Sequence, residues 1–325
     1  MKQSWPFLFA YLLPISVLYS FTLEGAVSFF PLAIYFGVLP LTELFWKQGK
    51  IHSESAVSLK KNKSFQWIAM GCLPILIGTA LVFFDTISTI EINSLEYWSY
   101  SLNMGLMFGV IGINVGHELG HSNSKIESLT GSLLLLLSWN SHFKPYHNHG
   151  HHVNVGTRKD PATARRNESL YVFWFRSHFG SYIQAWQLDR RFMLIYSILT
   201  LVLLFAIFFF TGTHGIIAYT ISAVFGIVLL ETVNYIEHYG LERKETEKRV
   251  KPKHSWNSNH PLGRLTLFNL SRHSDHHAKA SKKYQVLQSI EQAPQLPTGY
   301  PGMMLLSFFP PIFFRLMHER IASQE

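Results

Sequence analysis

Six apolar stretches without lysine or arginine alternate with polar segments along the chain. A helix of about 17 to 25 mostly apolar residues can cross a bilayer, and each stretch has roughly this length. The stretches cover residues 5–20, 26–46, 67–84, 97–115, 192–210 and 216–235. The pattern therefore predicts an all-α integral membrane protein with six transmembrane helices, in which residues 1–325 form a single membrane domain.

Two of the polar segments are long enough to form structure outside the bilayer. A large insert, residues 116–191, separates the fourth and fifth predicted spans, and a tail, residues 236–325, follows the sixth. The insert contains an apolar run at residues 129–137, which is too short to cross a membrane and is predicted to be a buried or interfacial helix. In the tail, residues 303–317 are predicted to form another interfacial segment, which two prolines interrupt.

The composition agrees with a membrane protein, since 48% of the residues are apolar and only 15% are charged. If the N-terminus lies in the cytoplasm, the external loops are residues 23–25, 85–96 and 211–215, and none of them contains a lysine or arginine. All 28 basic residues, including those of a polar loop at residues 47–66, then lie on one face. Cytoplasmic loops carry such an excess of positive charge, so this face is predicted to be cytoplasmic.

The net charge of +8 therefore belongs to one face of the protein. Such a face attracts anionic membrane lipid and can also steer an acidic protein partner. A high pI is typical of nucleic-acid-binding proteins too, but no basic stripe stands on a soluble domain, so nucleic acid is not expected. The single cysteine, Cys72, lies in the third predicted span, which excludes disulfides, iron–sulfur clusters and an intrachain thiolate metal site.

Nine of the 17 histidines stand in four short clusters on the same face. Residues i and i+4 of a helix share one side, so the spacing within the clusters can direct several imidazoles to one metal ion. Imidazole is the commonest transition-metal ligand, and a nitrogen-rich site suits iron, copper, zinc or nickel rather than calcium or magnesium. Nine imidazoles exceed the needs of one ion, so two metals are expected. The nine are His117 and His121; His147, His151 and His152; His238; and His273, His276 and His277.

The first cluster also matches H-E-x-x-H, in which two histidines bind zinc and the glutamate acts as the general base of a metalloprotease. A zinc protease needs only one further protein ligand, so this reading leaves six histidines without a role. Glu118, Glu237 and Asp275 are instead expected to accept hydrogen bonds from imidazoles and so to orient them. A direct carboxylate ligand remains open at this point.

Several other residues lie close to the clusters but out of phase with them. They are expected around the ligands or at the surface rather than on the metal, because a lone histidine is more often a packing or surface residue. They are His142, His149, His254 and His260, and Asn234 is expected to join His149 among the residues around the ligands. A further set, His52, His178, His214 and His318, is expected to have no part in the site.

Taken together, these motifs resemble the integral-membrane alkane monooxygenases, within the superfamily of fatty-acid desaturases and hydroxylases. The resemblance rests on H-E-L-G-H, H-N-H-G-H-H, N-Y-I-E-H-Y-G-L and R-H-S-D-H-H-A, together with H-S-W-N-S-N-H, D-P-A and the turn L-P-T-G-Y-P-G. It covers residues 114–320. The string N-Y-I-E-H-Y-G-L, which contains His238, is the most discriminating, because it points to the alkane and xylene monooxygenase branch.

The resemblance implies a bundle of six spans with a histidine-rich diiron cap at the cytoplasmic surface of a bacterial inner membrane. It implies that all nine clustered histidines bind two non-haem irons, and that O2 and two electrons convert a terminal methyl of an apolar alkyl chain to a primary alcohol. In this family the electrons come from rubredoxin, a small acidic protein, which an NADH-dependent reductase reduces. The chain lacks the cysteine pairs of a fused rubredoxin, so a separate donor is expected.

The chain departs from the family pattern at two positions. The family commonly has Glu before the second histidine box and Arg within it, where this chain has Tyr146 and His149. Neither residue matches a ligand, so the departures bear on local hydrogen bonding, the donor surface or the substrate preference.

Two alternative functions stay open. One is a xylene-monooxygenase-like or fatty-acyl desaturase or hydroxylase activity, and the other is a membrane zinc metalloprotease. A metal transporter is disfavoured, because its histidines should lie within the spans.

Overall fold

The computed structural model describes residues 3–46, 56–244 and 246–323, and the regular structure in these ranges is helical. The one exception is a single parallel β-bridge between Asn257 and Gln295. The predicted all-α class is therefore confirmed. Part of the loop expected at residues 47–66 lies outside the described residues, as does His52.

The α-helices are joined along the chain by loops and by other helical turns. They are α1 Leu12–Ser20, α2 Phe30–Ala33, α3 Leu39–Phe45, α4 Ala56–Lys61, α5 Ser64–Ile87, α6 Leu95–Met107, α7 Asn114–Gly120, α8 Lys125–Leu137, α9 Phe143–Tyr146, α10 His152–Asn154, α11 Leu170–Leu188, α12 Arg190–His238, α13 Pro261–Thr266, α14 His273–Ala278, α15 Tyr300–Ser307 and α16 Pro310–Ala322. The 3-10 helices are Trp5–Tyr11, Gly25–Phe29, Pro252–His254 and Tyr284–Val286, and the π-helical segments are Ile34–Val38, Phe108–Ile113 and His147–His151.

Three helical stretches are long and apolar enough to cross a bilayer. They are Gly25–Phe45, Ser64–Ile87 and Arg190–His238, and Trp5–Ser20 is a shorter apolar helix. Large apolar side chains on these stretches face outward, among them Phe209 and Phe210. An apolar surface along a whole helix is unfavourable in water but favourable in the hydrocarbon core of a bilayer. The protein is therefore an integral membrane protein.

The helix α12 covers both of the last two expected spans. An unbroken helix of its 49 residues would be about 74 Å long, more than twice the hydrocarbon core of a bilayer. Gly212 divides it, because its φ of 63° and ψ of −156° are not helical and suit only glycine. Two helical segments, each long enough for one crossing, therefore meet at this residue.

One compact unit contains the described parts of residues 1–37, 63–141 and 191–229. Polar side chains join its helices, since Asn103 Nδ2 donates to the backbone oxygen of Ser28 at 2.8 Å and Ser222 Oγ donates to that of Ser101 at 2.7 Å. The apolar run predicted at residues 129–137 lies in α8, which packs closely against α7 through small residues. Such close backbone approach is typical of helices that pack within a membrane.

The other compact unit contains the described parts of residues 38–62, 142–190 and 230–325. Its core holds the C-terminal end of α12, where Tyr235 Oη donates to the backbone oxygen of Glu168 at 2.6 Å and Trp256 Nε1 donates to that of Tyr239 at 2.9 Å. The segment expected at residues 303–317 consists of α15 and α16. It breaks between them because prolines begin α16, where their missing N–H groups cost nothing.

A glycine in α8 allows the close contact with α7. A Cβ atom at Gly131 would lie 2.8 Å from the backbone oxygen of Gly116 and 2.9 Å from the backbone nitrogen of Gly120. Backbone atoms cannot move aside, so Gly131→Ala is expected to lower the free energy of unfolding by about 1–3 kcal/mol. Gly78→Ala is the matched control, because nothing lies within 4 Å of a Cβ there. Thermal unfolding in detergent, followed by circular dichroism, measures both, and equal melting temperatures would contradict the packing.

Candidate metal centre

The four histidine clusters lie at helix ends or in short helical segments. His117 lies in α7 and His121 directly follows that helix, with the two imidazole rings 5.0 Å apart between centroids. The second cluster occupies a π-helical segment and the start of α10, His238 is the last residue of α12, and the fourth cluster lies in α14. The i, i+4 pairing expected for His117 and His121 is therefore present in the first unit.

The second cluster is π-helical rather than α-helical. A π-turn has about 4.4 residues, so residues i+4 and i+5 both lie near residue i, and such turns are frequent at functional sites. His147 Nε2 lies 3.0 Å from His152 Nε2, and the rings of His147 and His151 stack with centroids 5.0 Å apart. The wider turn thus spreads adjacent histidines to two sides of His147.

Four buried imidazoles from three parts of the chain converge in the second unit. Their Nε2 atoms are close neighbours, at 3.0 Å between His238 and His273, 2.9 Å between His273 and His277, and 3.2 Å between His277 and His151. One coordinating nitrogen from each of the four lies within 4.8 Å of the others. We call these four residues the inner cluster. Each of them is at least 95% buried.

The contacts of the inner cluster fit a shared cation better than hydrogen bonds. An imidazole Nε2 carries either one proton or one lone pair, so it makes one good hydrogen bond. His273 Nε2, however, faces two other Nε2 atoms, and so does His277 Nε2. A metal–nitrogen bond of about 2.1 Å places neighbouring ligand nitrogens about 3 Å apart, which matches the observed spacing. The donor set therefore suits a transition metal.

Three further histidines of the second unit lie beside the inner cluster. His147, His152 and His276 each offer a ring nitrogen, and these atoms lie within 4.8 Å of one another. The rings of His152 and His277 are 4.4 Å apart between centroids, so the two groups adjoin. Within the residues that the structure describes, both groupings consist of histidine alone.

Asp160 orients one imidazole of the inner cluster. Its Oδ2 lies 2.9 Å from His151 Nδ1 and accepts from Thr163 Oγ1 at 2.6 Å, and its Oδ1 accepts a hydrogen bond from Tyr146 Oη. Burial alone would raise the pKa of Asp160, but His151 and these hydrogen bonds lower the pKa to about 2. The ionised carboxylate holds the His151 proton on Nδ1 and leaves the Nε2 lone pair for a metal.

Glu237 contacts a second imidazole of the inner cluster, that of His273. Its Oε1 lies 3.3 Å from His273 Nδ1 and accepts from Tyr300 Oη at 2.7 Å. Burial and the nearby Glu237 raise the pKa of Tyr300 well above its usual value, so its hydroxyl stays a donor. In the same surroundings, burial and the neighbouring histidines lower the pKa of His277 well below its usual value. The imidazole therefore stays neutral, as a metal ligand must.

The remaining residues predicted around the ligands have varied environments. Asp275 accepts from Lys282 Nζ and from the backbone nitrogen of Gln288, at 2.5 and 2.8 Å, and Asn234 Nδ2 donates to Glu231 Oε2 at 3.4 Å. Glu118 is buried in α7, whereas the side chain of His149 is exposed.

Sequence reasoning gave no role to Asp160, Thr163 or Tyr300. Asp160 stands in the motif D-P-A, which carried part of the family resemblance, but a single acidic residue outside the histidine boxes does not indicate its partner. Tyr146, which is a departure from the family pattern, supplies its hydroxyl to this same carboxylate. The departure thus bears on hydrogen bonding near His151.

Comparisons with known proteins agree with this chemistry. The fatty acid desaturase family model matches residues 93–307. Alkane 1-monooxygenase 1 of Alcanivorax borkumensis is 35% identical over 310 residues, which cover 89% of this chain and 76% of that protein. Alkane 1-monooxygenase 2 of Pseudomonas aeruginosa is 35% identical over 317 residues, which cover 90% and 83%.

A more distant relative allows the alkane and xylene monooxygenase branches to be compared. The hydroxylase component of the xylene/toluene monooxygenase of Pseudomonas putida is 25% identical over 273 residues, which cover 75% of this chain and 70% of that protein. The identity to the two alkane 1-monooxygenases named above is higher and extends over more of the chain. The chain therefore belongs to the alkane 1-monooxygenase family, within the fatty acid desaturase superfamily.

Proposed function

We propose that the protein is a non-haem diiron monooxygenase that hydroxylates the terminal carbon of a medium- or long-chain alkane, or a related alkyl substrate, to a primary alcohol. The observation that carries the proposal is the convergence of four buried Nε2 atoms in the inner cluster, in a chain of this family. A histidine-only donor set is compatible with iron, although zinc, copper and nickel share the preference. The family relationship favours iron among them.

The inner cluster would hold one iron. We propose that His147, His152 and His276 hold the second, and that His117 of α7 and His121, which directly follows this helix, complete its ligands. Three imidazoles leave coordination positions open, and the i, i+4 pair His117 and His121 is a natural source for two more. All nine clustered histidines are then used, and no carboxylate binds the metal directly.

Bound iron would supply the activation of O2, and the protein prepares the place where this occurs. Asp160 and Glu237 fix the ring orientation and protonation of His151 and His273, so that both Nε2 atoms stay aimed at one point. The inner cluster is almost wholly buried, which excludes bulk water and limits unproductive side reactions. An apolar chain would reach this place from the bilayer rather than from water.

The topology that fits this function has six crossings, with the histidine-rich cap on the cytoplasmic side of a bacterial inner membrane. Basic residues are confined to one face when the six predicted spans are used. A basic face would attract a small acidic electron donor, and rubredoxin with its NADH-dependent reductase is the donor that the family resemblance implies. We propose that this donor is a separate protein.

Metal analysis distinguishes the proposed diiron oxygenase from the alternative zinc protease. Purified protein is expected to contain about two irons per chain, because each imidazole group fills most of one coordination sphere. Glu118→Gln is expected to keep its iron, since Glu118 is not a ligand. One zinc per chain, together with a peptidase activity that Glu118→Gln abolishes, would contradict the oxygenase.

Loss of a single inner-cluster ligand is expected to abolish turnover. His277 Nε2 contacts two other Nε2 atoms, so His277→Ala opens the site and is expected to lose iron and alkane hydroxylation together. His117→Ala and His152→Ala test the proposed second iron in the same way. The control is His214→Ala, which removes a histidine outside all four clusters. Iron content and product formation, read by mass spectrometry, measure both effects, and a ligand variant with normal iron and normal product would contradict the assignment.

The role of Asp160 can be tested without any turnover. Asp160→Asn keeps the shape of the side chain but removes the charge that holds the proton on His151 Nδ1, so the affinity for iron is expected to fall about 10- to 100-fold. Competition with a chelator measures this affinity directly. Asp85→Asn, at an exposed position near the end of α5, is the matched control. Equal affinities for the two variants would mean that Asp160 does not act through His151.

A further inference from the structure

The helix α11 has its apolar side turned outward. Val172, Phe175, Phe179 and Ile183, which share one side of the helix, are 60%, 67%, 59% and 57% exposed. The opposite side is buried against the protein and carries Leu170, Phe173, Ser177, Ser181 and Ala185. A helix on the surface of a soluble protein turns polar residues outward, whereas the outward stripe of α11 is apolar.

The one arginine within α11 does not reach this outward side. Arg176 Nε donates to Glu168 Oε1 at 2.6 Å, and its guanidinium also donates to the backbone oxygens of Pro161 and Thr163. Its charge is therefore paired with the protein, and the exposed stripe is left without a lysine, arginine, aspartate or glutamate. An acidic protein partner would need positive charge here, whereas the interior of a lipid leaflet would not.

The C-terminal end of α11 adds polar groups of the kind that occupy membrane interfaces. An open cavity of about 570 Å³ is lined there by Tyr182, Ile183, Trp186, Gln187 and Arg190. Tyrosine and tryptophan are enriched where hydrocarbon meets headgroups, and an arginine guanidinium binds phosphate oxygens. Arg190 is also the first residue of the apolar span in α12, which would place the cavity at the edge of the bilayer.

The histidine contacts exclude a crossing by α11, given the double crossing of α12 proposed above. His151 precedes α11 and His238 ends α12, and their rings lie 4.8 Å apart between centroids. Both residues must therefore lie on the same side of the membrane, which requires an even number of crossings between them. The two segments of α12 supply two crossings, so α11 adds none.

We propose that α11 lies in the plane of the membrane as an interfacial anchor, with its exposed stripe in the leaflet and the phosphate of an anionic phospholipid in the cavity beside Arg190. The anchor fixes the insert that carries His147, His151 and His152 at the level of the lipid headgroups. An alkyl chain in the leaflet would then meet the histidine site at a defined depth.

Spin labels on single cysteines test the depth of α11 in the full-length protein. The native Cys72 is buried and stays unlabelled, so each introduced cysteine is the only reactive one in the described protein. In vesicles of phosphatidylethanolamine and phosphatidylglycerol, collisions of the label with O2 and with a water-soluble nickel chelate report its depth. The labels are placed by Val172→Cys, Phe175→Cys, Phe179→Cys and Ile183→Cys, with Leu201→Cys, Phe205→Cys and Phe209→Cys on α12 and Lys279→Cys on a polar surface as references.

The four labels on α11 are expected to share one depth in the lipid, while the labels on α12 change depth along the helix. A depth that rises and falls along α11 would mean that it crosses the membrane, and nickel accessibility equal to that at position 279 would mean that it faces water. Either result overturns the proposal. Labels on α12 without lipid contact would instead contradict the double crossing, so the two failures are distinguishable.

The headgroup site has its own test, in which bound phosphatidylglycerol is counted by native mass spectrometry of the purified protein. An arginine near the membrane surface strengthens binding of anionic lipid, so Arg190→Gln is expected to reduce the retained lipid about fivefold. Arg190→Lys is expected to keep most of it. Arg315→Gln makes the same charge change at a side chain that is 86% exposed elsewhere in the second unit. An equal fall in Arg190→Gln and Arg315→Gln would overturn the site.

Discussion

The close approach of imidazole nitrogens is the constraint on which the rest of the second unit depends. Four Nε2 atoms, separated by about 3 Å, would be a poor arrangement without a cation, because neutral rings compete for too few protons. Holding them together requires that helix ends, a π-turn and the C-terminal tail all meet at one place. The ionised carboxylate of Asp160 supplies negative charge beside this cluster, and Glu237 contacts the imidazole of His273.

The convergence of these histidines also limits how the chain can cross a membrane. Residues that share one site must lie on one side, so the histidine contacts restrict the number of crossings between them independently of hydropathy. This restriction matters for α11, whose length alone would permit a crossing. The side chains of α11 point to the same conclusion, since an exposed apolar stripe along one side suits a helix that lies at the surface of a leaflet.

The sequence predicted the features that depend on local spacing. Apolar runs without lysine or arginine predicted the apolar helices, and the H-x-x-x-H spacing predicted the pairing of His117 with His121, because both follow from the geometry of a single helix. The π-turn at His147 was not predictable, since its wider turn depends on what the rings contact. Tyr300 lies 63 residues from Glu237 along the chain, and only the folded tail brings its hydroxyl to that carboxylate.

In the π-turn at His147–His151, the backbone geometry that places the imidazoles differs from the geometry that gives the best backbone hydrogen bonds. Compared with an α-helix, the turn holds one additional residue, and that residue lets neighbouring histidines join two different groups of imidazoles. A chain shortened by one residue there could form a more regular helix with better backbone hydrogen bonds, yet it would withdraw an imidazole from one of the two groups. A change in this segment towards a more regular backbone would therefore break up one of the two groups of imidazoles.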